Sequence, residues 1–361
     1  MSEQKIKCVV WDLDNTIWDG ILIEDKDVKL KQEAVETIKE LDRRGILQSI
    51  SSKNNFDDAK AKLQEFGIWE FFIYPKINWN SKSDAVGEIA KNINIGIDTL
   101  AFVDDQPFER EEVNFGHPEV LCIDAADISK ITEMERMVPT FITSDSANRR
   151  KMYQTDIVRN EVEQDFIGTK EEFLKTLDMR LTLRHAQVSD IQRMEELTVR
   201  THQLNSTGYV YSYDDLTRLM ESDEHELIVA GLDDKYGTYG MIGMALIKKS
   251  TTVWELELLL MSCRVVSKGV GNIFMNHMIN TAKKNNVRFT AQFVPSPRNR
   301  VMYITYKFNG FKEAGEKDGV TILEADLSYE RKIPEYVKLN LEQEQDENNG
   351  FFNNKRAERV S

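Results

Sequence analysis

The chain has 361 residues and a formal net charge of −14, enough length for two domains, each with its own core. That acidic balance argues against a nucleic-acid or anionic-membrane surface, because both require clustered Lys and Arg. No run approaches a membrane span, the start Met1-Ser2-Glu3-Gln4-Lys5 lacks the apolar core of a leader, and Cys8, Cys122 and Cys263 form no CxxC. A cytoplasmic protein without a disulfide framework or zinc site is expected.

Residues 6–123 alternate short apolar runs with helical patterns, the signature of a parallel sheet with crossover helices. Strands are expected near 6–12, 46–51, 71–75, 99–104 and 120–123. Helices are expected from Gln32 to Arg44, from Phe56 to Phe66, and from Ser81 to about Asn92. The first run, Val9-Val10-Trp11-Asp12-Leu13-Asp14-Asn15-Thr16, ends in two carboxylates one residue apart, which a strand tip can point into one crevice. Such a pair suits Mg²⁺-assisted phosphoryl transfer. The fourth run, Leu100-Ala101-Phe102-Val103-Asp104-Asp105, also ends in paired acids, and period-2 alternation directs one of the two towards a shared hard cation. The hydroxyl-rich loop Ser51-Ser52-Lys53-Asn54 leads into a helix start that can hold phosphate oxygens, and Lys82 supplies a cation for the same group.

The order Asp-x-Asp-x-Thr, Ser52, Lys82, Asp104-Asp105, each element after a strand, resembles the haloacid dehalogenase (HAD) superfamily. The resemblance implies Asp12 as the nucleophile that becomes an aspartyl phosphate and Asp14 as general acid, then base. It also implies Mg²⁺ held by Asp12, the Asp14 carbonyl and Asp104, with phosphate gripped by Ser52 and Lys82. The spacings leave no room for a cap domain, so only the flap Ile17-Trp18-Asp19-Gly20-Ile21-Leu22 remains, with Trp18 read as a lid rather than core. An open site of this kind takes a large substrate or is covered by another domain.

A Thr143-Ser144-Asp145-Ser146 cap signal places a domain boundary near 143, followed by a charged helix to about Gln164 on which Arg149, Arg150 and Arg159 read as an exposed charged face, with phosphate contact as the alternative. From about Arg180 the pattern becomes strand, helix, β meander, then strand and helix. Gly269-Val270-Gly271 opens a helix after the strand Trp254 to Met261. With Asn299 through Tyr303, Tyr306 and Asn309-Gly310-Phe311, this unit resembles the GNAT acyltransferase fold, in which N–H groups at the helix start cradle the phosphate of a pantetheine carrier. Val266 stands where that pattern has a basic residue or Gln. Cys263 precedes the helix, beside Arg264 and Lys268, which favour its thiolate. His202, in Thr201-His202-Gln203-Leu204-Asn205-Ser206-Thr207, is either a base for Cys263 or a solvated helix end. His277 reads as packing, as do Cys8 and Cys122.

Together the halves resemble the FkbH-like (HAD-IIIC) family over roughly residues 5–325, although Ser267-Lys268 replaces its usual Gly-Arg and His202 its Asn. The expected fold is α/β, a HAD-type Rossmannoid parallel-sheet domain (1–142) followed by a GNAT-like α+β domain (143–330) and a polar tail (331–361) with little to bury. The resemblance implies an enzyme that takes a glyceryl-type unit from 1,3-bisphosphoglycerate and removes phosphate. It then loads the acyl group through Cys263 onto an acyl carrier protein acting in trans. Arg264, Gly269 and Gly271 would hold the carrier arm. The alternative is a phosphatase whose second domain only binds a carrier or covers the site.

Overall fold

The computed structural model describes residues 4–25 and 27–342. The chain divides into two compact units, Met1–Asn160 and Glu161–Ser361.

In the first unit, β1 (Cys8–Trp11) is followed by a small hairpin, β2 (Trp18–Asp19) and β3 (Lys29–Leu30), and by α1 (Gln32–Arg43). Then come β4 (Leu47–Ser52), α2 (Phe56–Glu65), β5 (Lys76–Ile77), α3 (Lys82–Ile93), β6 (Leu100–Asp104), α4 (Pro107–Gly116) and β7 (Leu121–Asp124). The five sheet strands are parallel in the order β5-β4-β1-β6-β7, which puts the first strand at the centre and reverses the chain's direction of travel between β1 and β6. This is the Rossmannoid sheet expected from the sequence. Alternate residues serve opposite faces: Val9 and Trp11 pack with Ala34 and Ile38 of α1, whereas Cys8 and Val10 pack with Val86 and Ile89 of α3. With both faces covered, the strands are apolar throughout, and polar chemistry is displaced to their carboxyl ends.

The third strand does not lie at 71–75. Trp69–Phe71 winds into a 3₁₀ turn, Phe72 makes a single bridge to Gln48, and Tyr74 adopts φ +47°, so regular pairing resumes only at Lys76.

The expected boundary near 143 precedes the observed division by 17 residues, from 143 to 160. Thr143 does cap a short helix, α5 (Ser144–Ala147), but α6 (Arg149–Asp165) remains tied to the first unit well beyond it. Arg149 Nη1 donates to the Gly45 carbonyl at 2.7 Å, and Arg150 pairs with Asp42 at 2.9 Å and lies over the Phe71 ring. Arg149 and Arg159 are buried, the latter paired with Asp156 at 2.8 Å, so the expectation of an exposed charged face is wrong at those positions.

The second unit contains α7 (Lys170–Thr176), β8 (Met179–His185), α8 (Ile191–Arg200), α9 (Tyr213–Met220), β9 (His225–Asp234), β10 (Gly237–Lys249) and β11 (Val253–Met261). It continues through α10 (Val270–Lys284), β12 (Arg288–Phe293), α11 (Arg300–Phe308), β13 (Phe311–Lys317), β14 (Val320–Ala325) and β15 (Val337–Glu342). Its sheet runs β13-β14-β12-β11-β10-β9-β8-β15, antiparallel except for β11 beside β12 and β8 beside β15. Ile191, Met194 and Leu197 of α8 cover one face, and Phe274 and Met278 of α10 cover the other, giving the α+β unit expected from the sequence.

β15 corrects the reading of everything after 330 as a tail. Val337–Glu342 pairs residue by residue with β8, and Arg331 is buried, donating to the Asn309 and Asp326 carbonyls. Phe351 and Phe352, the apolar pair of the polar tail, lie outside the described residues. No helix among the described residues is long and apolar enough to cross a membrane.

The anchor at Gly45 generates a prediction. This residue has φ +73°, and a Cβ there would sit 2.5 Å from the Ser146 carbonyl oxygen. Gly45→Ala should therefore lower stability by about 2 kcal/mol, read as a reduced urea midpoint with an unchanged m-value.

Candidate active site

The register of the first sheet assembles the site. Trp11 pairs with Ile50 on one side and Val103 on the other, so the residues just beyond these strands emerge at one level. Asp12 follows directly and is fixed by its N–H to the Val103 carbonyl at 2.9 Å. Ser52 ends β4, Asp104 ends β6, and Lys82 is the first residue of α3, whose N-cap is Ser81. Asp12, Ser52, Lys82 and Asp104 are all buried.

Lys82 Nζ donates to Asp12 Oδ1 at 2.7 Å and to Asp104 Oδ2 at 2.5 Å. Burial opposes charge on Lys82, but the two carboxylates outweigh it and its pKa is raised. Burial also pushes Asp12 up to about 7, against the pull of Lys82 and with further upward pressure from Asp104; the Ser52 hydroxyl hydrogen-bonds it. Asp104 and Asp105 are raised as well, first by burial. Carboxylate oxygens of Asp12, Asp104 and Asp105 lie within 4.8 Å of one another. Asp105 Oδ1 is buried without a hydrogen-bond partner. Three carboxylates against one ammonium leave a formal −2, and one oxygen of the third carboxylate, Asp105, has no hydrogen-bond partner. These residues fit a hard divalent cation, which prefers oxygen ligands and would cancel that charge. Both Asp104 and Asp105 belong to the cluster, where alternation along the strand selects only one; Asp105 lies just past the end of β6, where strand periodicity no longer applies.

Asp14 is positioned differently. Its Oδ1 accepts from the Trp18 indole N–H at 2.9 Å and the Leu22 N–H at 3.0 Å, and its Oδ2 accepts from Asn54 Nδ2 at 2.9 Å. Trp18 is fully buried and packs near Phe66, so it is a core residue that orients Asp14 rather than a lid. The turn behind the flap is tied by Asn15, at φ +54°, whose side chain accepts the Gly20 N–H and whose carbonyl accepts from Lys31. Asn54 is the functional neighbour that sequence reasoning passed over; its signal was its place two residues after Ser52, where its amide also reaches the Ser52 hydroxyl at 3.3 Å.

In the second unit, Cys263 opens a 3₁₀ turn that ends at Lys268 and leads through Gly269 into α10; its side chain lies outside what the structure describes. Gly269 has φ +71°, and a Cβ there would meet the Tyr336 hydroxyl at 2.8 Å. Gly271 lies in the first turn of α10 against Met261. Arg264 Nη2 donates to the Tyr239 carbonyl at 2.8 Å, while its Nη1 is buried without a hydrogen-bond partner. Lys268 is buried, over the Phe173 ring and 3.7 Å from Glu163. His202 is half-buried beyond the end of α8. An antiparallel bridge joins Asn205 to Leu260, and the Met261 N–H donates to the Leu204 carbonyl. His277 is packed within α10, and burial lowers it to about 4. Cys8 and Cys122 sit in strands with thiols raised by burial, that of Cys122 to about 11. A separate cavity of about 570 Å³ runs along α9 and is lined by Tyr209, Tyr211, Arg218 and His225; it contains none of the expected site residues.

No family model matches the chain, and no curated protein matches it. Among solved structures it is similar to the N-terminal part of the protein BF1531 from Bacteroides fragilis, which contains a phosphatase domain complexed with Mg: 31% identity over 35% of this chain and 39% of that one, TM-score 0.33. It is also similar to the ribosomal-protein-S18-alanine N-acetyltransferase from Escherichia coli, at 16% identity over 41% of this chain and 95% of that one, TM-score 0.33. The PaiA N-acetyltransferase from Thermoplasma acidophilum, in complex with coenzyme A, aligns at 16% identity over 40% and 98%, TM-score 0.33.

If Asp105 is a ligand, Asp105→Asn should weaken Mg²⁺ binding at least ~10-fold by isothermal titration. Undiminished affinity would remove it from the cation site.

Proposed function

We propose that the first unit is a Mg²⁺-dependent phosphatase and that the second is an acyltransferase working through Cys263, the two together priming an acyl carrier protein from an acyl phosphate such as 1,3-bisphosphoglycerate. The observation that carries the phosphatase reading is Lys82 bridging Asp12 and Asp104 beside the orphaned Asp105 oxygen. Asp12, Asp104 and Asp105 would hold Mg²⁺, with the Asp14 carbonyl as a further oxygen. When bound, the ion supplies positive charge against which one anion can approach another.

Asp12 attacks phosphorus and breaks the bond to the leaving oxygen, forming an aspartyl phosphate. Asp14, held by Trp18, Leu22 and Asn54, gives its proton to the departing oxygen. It then takes a proton from the water that attacks the aspartyl phosphate, releasing inorganic phosphate and restoring Asp12. Ser52 and Lys82 bind the phosphate oxygens and hold them in line.

In the second unit Cys263 loses its proton to His202 and attacks the carbonyl carbon of the acyl phosphate, expelling phosphate. The unpartnered Arg264 Nη1 can bind that leaving group. The carrier's pantetheine thiol then attacks the thioester and takes the acyl group, regenerating Cys263. Support for this half is the bridge of Asn205 to Leu260, which ties the segment after α8 to the strand leading to Cys263, and the glycine turn at the start of α10.

Incubating the chain with Mg²⁺, 1,3-bisphosphoglycerate and a holo carrier protein, followed by intact mass measurement, tests both halves. The carrier should gain a glyceryl unit. Asp12→Asn should slow removal of the ester phosphate at least ~100-fold without abolishing acylation, so that the carrier gains a phosphoglyceryl unit instead, and Cys263→Ala should abolish loading. Persistent loading by Cys263→Ala would refute its covalent role. Phosphate release without any loading would favour a second unit that only binds a carrier or covers the site.

A further inference from the structure

Strands β11 and β12 run parallel and pair from Val253 opposite Arg288 to Leu256 opposite Ala291. Beyond Leu256 that pairing ends, while β11 runs on to Met261 and leads directly to Ser262 and Cys263. The other edge of this stretch is taken by β10, with Gly243 opposite Met261 and Met244 opposite Leu260. A thiol on a long, amide-bearing arm would reach Cys263 most simply by lying along the remaining edge of β11 as an added strand.

That edge is occupied by the chain itself. The Met261 N–H donates to the Leu204 carbonyl at 2.9 Å, and the Ser206 N–H donates to the Leu259 carbonyl at 3.0 Å. The Leu259 N–H donates to Ser206 Oγ at 3.0 Å, and Asn205 makes the antiparallel bridge to Leu260. On the far side, the Val294 N–H just after β12 donates to the Ser206 carbonyl at 3.0 Å. Asn299 locks the segment from beneath: its Nδ2 donates to the Asn205 carbonyl at 3.1 Å and to the Val294 carbonyl at 2.9 Å. The Asn205 side chain then turns the chain away by accepting the Thr207 and Gly208 N–H groups. Asn205 and Ser206 are 0% exposed and Asn299 is 1% exposed, so these bonds are shielded from water. Leu204–Ser206 is thus a bridged segment inserted between β11 and the end of β12.

We propose that Leu204–Ser206 is a built-in segment that closes this edge of β11 to any pantetheine arm, so that the second unit does not take coenzyme A or its thioesters as donor and the carrier's thiol comes to Cys263 without lying along β11. The choice of donor rests on the proposed role of Cys263; the closed edge does not. An arm adding to β11 would have to displace the three hydrogen bonds between β11 and this segment.

Two measurements on the full chain test this. In hydrogen exchange, the amides of Ser206, Leu259, Met261 and Val294 should exchange at least roughly 100-fold more slowly than in the unfolded chain, and millimolar coenzyme A should leave them unchanged. By intact mass, acetyl phosphate should acetylate the chain at Cys263, whereas acetyl coenzyme A should not, and calorimetry should show no saturable binding of coenzyme A. Fast exchange at those amides, saturable coenzyme A binding, or acetyl transfer from acetyl coenzyme A would overturn the proposal. Failure of acetyl phosphate as well, with the amides still slow, would overturn the acyl-phosphate role of Cys263 and leave the closed edge standing.

Discussion

The first unit depends on one interaction, the Lys82 ammonium held between the Asp12 and Asp104 carboxylates at the carboxyl ends of two neighbouring strands. Taking charges out of water costs several kcal/mol per ion, and a single ammonium cannot offset three clustered acids. The sheet accepts that cost because its parallel register, set by apolar residues buried on both faces, gives Asp12 and Asp104 nowhere else to go. The residual negative charge is what suits the crevice to a divalent cation. Stability and chemistry are therefore opposed at this point, which is common where a site must attract charge.

The second acid of the motif shows how the same short sequence serves two purposes. Asp12 faces the cation cluster, while Asp14 is turned into a cage of three donors from Trp18, Leu22 and Asn54. Trp18 links the cage to the core, so the small hairpin acts as a rigid brace for Asp14. The second unit applies a related economy: a segment following α8 bonds to the end of β11, the strand that leads to Cys263.

Much of the first unit was legible because its signals are local. Strand periodicity, the Ser81 cap and glycines after helices fix where Asp12, Ser52, Lys82 and Asp104 sit, and parallel topology then brings strand ends together. What escaped the sequence depends on partners far along the chain. The burial of Arg149 follows from the Gly45 carbonyl, 104 residues away, and that of Arg331 from carbonyls at Asn309 and Asp326. Trp18 looked like a lid because the Asp19-Gly20 turn is visible locally, whereas its contact with Phe66 is not. β15 was missed for the same reason: Val337–Glu342 is polar along one side and becomes a strand only through β8. The Leu204–Ser206 insertion likewise exists only as pairing with β11 and Val294.

The central claim is that Asp12 is the nucleophile of a phosphoryl transfer completed by Asp14. Its most direct test is to trap the covalent intermediate. The Asp14→Asn protein, which retains the nucleophile but lacks the base, should accumulate phosphate on the peptide containing Asp12 after acid quench with Mg²⁺ and an aryl phosphate, and the Asp12→Asn protein should carry none. Phosphate found on another residue, or undiminished turnover by Asp12→Asn, would contradict the account.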